Sequence, residues 1–157
     1  MSSLPKQLDP EAWHRYFAIE CNNRAWALTV QARTPVQDRE MLDAAHSAAF
    51  HWGHVGTELN HARAQMLLAA VHALLGYGTS ALSYAEDVRG FFLSRETADW
   101  EVAFTHAIYA HAAFAAGDMP GHRAAYIEAE KALASIADPE DRAIVQQTFD
   151  CVPRPGA

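Results

Sequence analysis

Cysteine is scarce in this chain of 157 residues, with Cys21 and Cys151 alone. Their separation matches no metal-binding spacing and builds no disulfide framework, so a reducing cytoplasm is the expected setting. Basic residues are also few: twelve Lys and Arg stand against nineteen Asp and Glu, for a formal charge of -7. No Lys/Arg cluster offers a footprint for phosphate backbones, which argues against a nucleic-acid partner. The start, MSSLPKQLDPEAW, lacks the charged and apolar regions of a signal peptide, and no apolar run reaches the length of a membrane span, so no membrane partner is expected. No Gly-x-Ser-x-Gly turn is present, and neither cysteine stands beside an evident base; no catalytic residue is assigned. A chain of this length suits one domain able to bury roughly two thirds of its unfolded surface.

What the sequence does contain is helical periodicity. From Glu58 to Leu75 most residues are strong helix formers, with Asn60, Ala64, Leu67, Val71 and Leu74 at steps of three and four. Leu68 and Leu75 widen that face, and Ala62, Met66, Ala69, Ala70 and Ala73 occupy the opposite side, predicting a helix packed between neighbours. Gly76-Tyr77-Gly78 breaks the pattern, Thr79 or Ser80 supplies a cap, and Ala81, Leu82, Ala85 and Val88 resume it in a second helix. The turn reads Gly-x-Gly-x-x-Ala, yet a dinucleotide-binding fingerprint requires a preceding strand and here a helix precedes.

Along the rest of the chain, Asp9-Pro10-Glu11 opens a helix anchored by Trp13, Phe17, Trp26 and Val30 and running to about Ala32, where Arg33-Thr34-Pro35 stops it. A second helix, about 37–55, carries Met41, Ala45, Ala48 and Trp52 on one stripe and Phe50 on the other side, so that both sides are expected to be covered. Thr57 caps the helix at Glu58. Asp99-Trp100-Glu101 opens another helix, ended by Gly117. Pro120 starts its partner, with Ala124, Ile127, Ala132, Leu133 and Ile136 as expected core, and Asp138-Pro139-Glu140 caps a closing helix before a frayed CVPRPGA tail. Breaks fall near 33–36, 55–58, 76–79, 96–99, 117–120 and 137–139. The turns at Pro35, Gly76 and Gly117 recur every 41 residues, a repeat period. The expected architecture is all-α: one domain over 1–157 with three antiparallel helical hairpins, about 10–56, 57–97 and 98–137, and a closing helix at 139–150. A closed four-helix bundle with extra helices competes with it.

Leu68, Ala69, His72, Gly76, Ala81 and Ala85 fall at offsets resembling the tetratricopeptide pattern. The run from Met41 to Arg63, with AAH, HWG, VGT and the Asn60/Arg63 pair, resembles small bacterial tetratricopeptide-like proteins. The resemblance implies a short right-handed array with the last helix as its cap, and an interaction module that binds a peptide or protein segment in a concave groove without a cofactor. It places Arg63, Met66, Ala70 and Ala73, then Phe104, Ala107, His111 and Phe114, on the concave side. Arg63, Met66, Phe104, His111 and Phe114 are the expected ligand contacts, with Arg63 clamping a carboxylate and Arg63→Glu expected to spare the fold. A closing helix over 143–149 that fills the groove would instead make these residues core.

Nine histidines are the chemical oddity. His51 and His54 are one helical turn apart, and a sharp fold at Gly56 would add His61, and Glu58 beside it, to a zinc or nickel site. The alternative function is therefore a small-molecule or metal-dependent activity in a pocket lined by His51, Trp52, His54 and His61. The other histidines read as packing residues, with His111 facing the groove.

Overall fold

The computed structural model describes residues 3–4 and 9–156. Among the described residues seven helices follow one another: α1 (Pro10–Thr29), α2 (Pro35–Val55), α3 (Glu58–Leu74), α4 (Gly78–Phe92), α5 (Asp99–Ala115), α6 (Met119–Ala134) and α7 (Pro139–Phe149). The described residues contain no strand. Residues 1–2 and 5–8 of the segment on which the signal-peptide expectation rests lie outside the described residues. Among those described, no helix is long and apolar enough to cross a membrane.

The boundaries follow local chemistry. Thr34 and Thr57 each form a reciprocal capping box, with Gln37 and Asn60, which satisfies donors that the first helical turn leaves orphaned. Pro35 is therefore the first residue of α2, and not only the stop of α1. Helix α1 itself ends at Thr29, earlier than Ala32, because the Arg33 guanidinium donates to the carbonyls of Leu28, Thr29 and Gln31. Gly76 and Gly117 adopt φ of 76° and 81°. In each case the following amide bonds back to the carbonyl five residues earlier, Tyr77 to His72 and Asp118 to Ala113, the left-handed helix stop that glycine tolerates best. No side-chain atom lies near a Cβ built at Gly76, so Gly76→Val is expected to cost about 1 kcal/mol or more through backbone conformation alone. A thermal melt checks this; an unchanged midpoint would mean that the turn is built otherwise.

The start of α4 differs from the expected Thr or Ser cap. Tyr77 occupies the cap position and offers no side-chain hydrogen bond. Packing at Gly78 selects this start: a Cβ there would sit inside contact distance of the Ala115 carbonyl and 2.5 Å from the Ala116 Cα. The end of α5 rests directly on the first residue of α4.

Helix α3 is the centre of the molecule. Leu67, Leu68 and Val71 pack with Leu28, Met41 and Ala45 from α1 and α2. Met66, Ala69, Ala70 and Ala73 pack with α4, α5 and residues of α6 and α7. Contacts are heaviest between α1 and α2, α3 and α4, and α5 and α6; the odd-numbered helices also touch in series, α1 to α3, α3 to α5 and α5 to α7.

Some expected core positions are corrected. Phe50 is 63% exposed, so the far side of α2 is open, and Phe17 and Val30 are each about 40% exposed. In α6 the buried stripe is His122, Ala125, Tyr126, Ala129 and Leu133, with Ile127 outside, because the Asp118 cap on Gly121 sets a rotation that the apolar residues alone did not reveal. The tail is not simply frayed, since Val152 is buried in the larger core.

Candidate functional site

The serial contact of α1, α3, α5 and α7 leaves a groove. Its open half encloses about 440 Å³ and is lined by Asn22, Trp26, Ala27 and Val30, by Arg63 and Met66 of α3, by Trp100 and Phe104 of α5, and by Ile144, Gln147 and Thr148 of α7. The Trp26 and Phe104 rings lie 5.6 Å apart, joining the α1 and α5 walls, and Trp100 meets Phe104 edge-on at 6.0 Å. Met66 and Phe104 are nearly buried, while Ile144 stands 57% exposed at the rim. This is an apolar, aromatic floor with amides at its margin, the composition that suits apolar side chains of a ligand.

Arg63 is the one charged residue in that lining. Its Nε donates to Glu101 Oε1 at 2.6 Å, with the carboxylate side chain 7% exposed and the arginine side chain 42% exposed. The guanidinium also lies 5.3 Å from the Trp100 ring centroid. Arg63 is therefore not a free clamp but the counter-ion of a buried carboxylate, and charge reversal is now expected to disturb the fold. The pair leaves the groove without net charge, although the two terminal amino groups of Arg63 make no hydrogen bond among the described residues and remain available as donors.

The other half of the groove is filled. Thr148, Cys151 and Val152 close over Thr29, Ala70, Leu74, Ala107, Ile108 and His111, leaving about 10 Å³, room for one water at most. His111 is thus in the groove wall but under the carboxy-terminal segment. Burial, reinforced by neighbouring His122, lowers its pKa to about 4. Its neutral form is favoured by folding, so this contribution to stability is complete above the ordinary imidazole value and is lost as pH falls toward 4. Phe114 is elsewhere: its ring packs at 5.2 Å on His122 of α6, and it contributes to neither half.

The histidines assemble in a way not anticipated. His51 Nδ1 meets His14 Nδ1 of α1 at 2.8 Å, and His54 stacks on the same His14 ring at 4.2 Å. His61 turns to the Trp52 carbonyl at 2.9 Å and lines a separate cavity of about 380 Å³ with Glu58, Gln65, Asp87 and Arg95. Among the described residues no group of three or more His, Cys, Asp or Glu is disposed to hold a metal ion. A second imidazole pair joins His46 Nε2 of α2 to His72 Nε2 of α3 at 3.0 Å.

Sequence reasoning did not single out Asn22, Trp100, Ile144 or Gln147 as lining residues. One signal was available for Asn22: it precedes Arg63 by the 41 residues that separate Arg63 from Phe104, and all three line the open groove. Comparison of the chain with protein-family models, with curated proteins and with solved structures found no match.

Proposed function

We propose that this protein is a short tetratricopeptide-like array of three helical hairpins, right-handed and closed by α7, that acts as an interaction module by taking an apolar peptide segment of a partner protein into its groove. The pairing of α1 with α2, α3 with α4 and α5 with α6, and the serial contact of α1, α3, α5 and α7, support the array. So do the two glycine-terminated turns 41 residues apart, at Gly76 and Gly117. The observation that carries the binding reading is the open groove of about 440 Å³, floored by Trp26, Met66, Trp100 and Phe104. Stacked hairpins present such surfaces to peptides, and aromatic residues in a partly desolvated pocket supply most of the binding energy at interfaces of this kind.

The neutralised Arg63 alters the ligand expected of this groove. With its charge satisfied by Glu101, an acidic group on the peptide gains little. The spare guanidinium donors, with Asn22 and Gln147, suit backbone carbonyls of a segment whose side chains are apolar.

Panning a displayed random-peptide library on the purified protein, with Ile144→Glu as comparison, tests the reading. Ile144 is a rim residue, so its replacement leaves the core unchanged while placing a charge over the apolar floor. Enriched peptides are expected to be rich in aromatic and aliphatic residues and to bind the wild type at least about tenfold more tightly than the variant, about 1.4 kcal/mol. Absence of enrichment, or equal binding to both proteins, would contradict it.

A further inference from the structure

We propose that the two interhelical imidazole pairs, His14 with His51 and His46 with His72, form an acid-sensitive clasp that holds α2 against α1 and α3 at neutral pH and releases it when both members of a pair are protonated.

The geometry fixes how many protons each pair accepts. Ser80 Oγ donates to the Tyr77 carbonyl at 3.1 Å and lies 2.6 Å from His72 Nδ1, so His72 Nδ1 carries the proton and donates to Ser80. His72 Nε2 is then bare and accepts from His46 Nε2–H across 3.0 Å. One added proton on Nδ1 of His46, an exposed residue, leaves the chain of bonds intact. A second must go to His72 Nε2, which removes the only acceptor and sets two cations against each other. The same count holds for His14 and His51, whose Nδ1 atoms are 2.8 Å apart: one shared proton bonds the rings and two repel.

The surroundings supply no compensation. His72 is faced by the Tyr77 and Tyr84 rings of the α3–α4 turn and α4, His51 by Phe17 and Phe50, and His14 by Phe50 and His54. No carboxylate forms an ion pair with any of these five imidazoles among the described residues. Burial and the partner histidine both hold His51 and His72 below the ordinary imidazole value. Because α2 packs on α1, which carries the Trp26 wall, and on α3, opening the clasp would remove a support of that wall of the groove, and that consequence alone rests on the proposed binding function.

Amide hydrogen exchange of the full chain without ligand, read as protection factors at about pH 7.5 and about pH 5 on either side of the ordinary imidazole value, tests the clasp separately from binding. Burial holds His106 and His111 of α5 below the ordinary imidazole value as well, so α5 and α6 carry an acid-dependent loss of their own, and the clasp is read as the fall in α1 and α2 beyond it. Protection in α1 and α2 is expected to fall at least about tenfold more than in α5 and α6. The double variant His14→Asn, His46→Gln, in which amides replace the bonded ring nitrogens, should lose that difference. A uniform fall in all helices, or the same selective fall in the variant, would overturn the proposal. Should the variant fail to fold, ring-nitrogen titration of the wild type decides. Two separated steps per pair are expected, and independent single titrations at the ordinary value would overturn it.

Discussion

Arg63→Ala is expected to destabilise the protein by about 3 kcal/mol, because it strips the counter-ion from a carboxylate that the fold has buried. Glu101 is 5% exposed, and its carboxylate accepts a hydrogen bond from Arg63 Nε. Removing the arginine leaves the carboxylate to be neutralised at a cost or solvated by local opening. The half-exposed position of Arg63 lets some water reach the site, which places the effect at the lower end of the range for breaking a buried pair. Arg63→Glu is expected to be worse, since it sets two carboxylates together. Arg63→Met combined with Glu101→Leu should recover most of the loss, because neither charge then needs a partner. Urea denaturation of the three variants checks the series; an Arg63→Ala midpoint equal to that of the wild type would mean that the pair contributes nothing.

Gly78→Ala is expected to cost about 3 kcal/mol, the upper range for forcing an added methyl into a filled space. The added carbon would collide with backbone atoms of Ala115 and Ala116, and backbone, unlike the end of a flexible side chain, moves only if the α4–α5 seam opens. Gly90 provides the control, being helical with nothing within 4 Å of its built Cβ. Gly90→Ala should be neutral or stabilising, by up to about 1 kcal/mol. Equal melting midpoints for the two variants would contradict the close approach of α5 to α4.

The helices were legible because their signals are local. Asp9, Thr57 and Asp138 cap where the sequence places them, and the 41-residue recurrence of Gly76 and Gly117 corresponds to two left-handed helix stops. The all-round apolar composition of α3 identified the central helix correctly. What was illegible depends on how helices rotate against one another. Arg63 and Glu101 are 38 residues apart, and no periodicity within either helix announces that they meet. Phe104 and Phe114 share a stripe on paper, but ten residues of helix carry Phe114 about 15 Å along the axis, past the groove and onto His122. The expected companions of His51 were His54 on the same helix and His61 beyond the Gly56 turn; the ring it meets is His14, brought alongside by the packing of α1 on α2. Likewise Gly78 read only as part of the break between two helices, whereas its lack of a side chain serves a contact with Ala115, a residue distant in sequence.

The most direct measurement of the central claim, that the open groove between α1, α3, α5 and α7 is the binding surface, uses the four tryptophans of the chain. Each indole N–H gives its own resonance. Trp26 and Trp100 line the groove, whereas Trp13 stacks on Phe17 in α1 and Trp52 lies at the end of α2 beside His61. Titration with a peptide selected on the wild-type protein is expected to shift the Trp26 and Trp100 indole signals together, saturably, and to leave those of Trp13 and Trp52 in place. Shifts confined to Trp13 and Trp52, with Trp26 and Trp100 unmoved at saturation, would contradict the account.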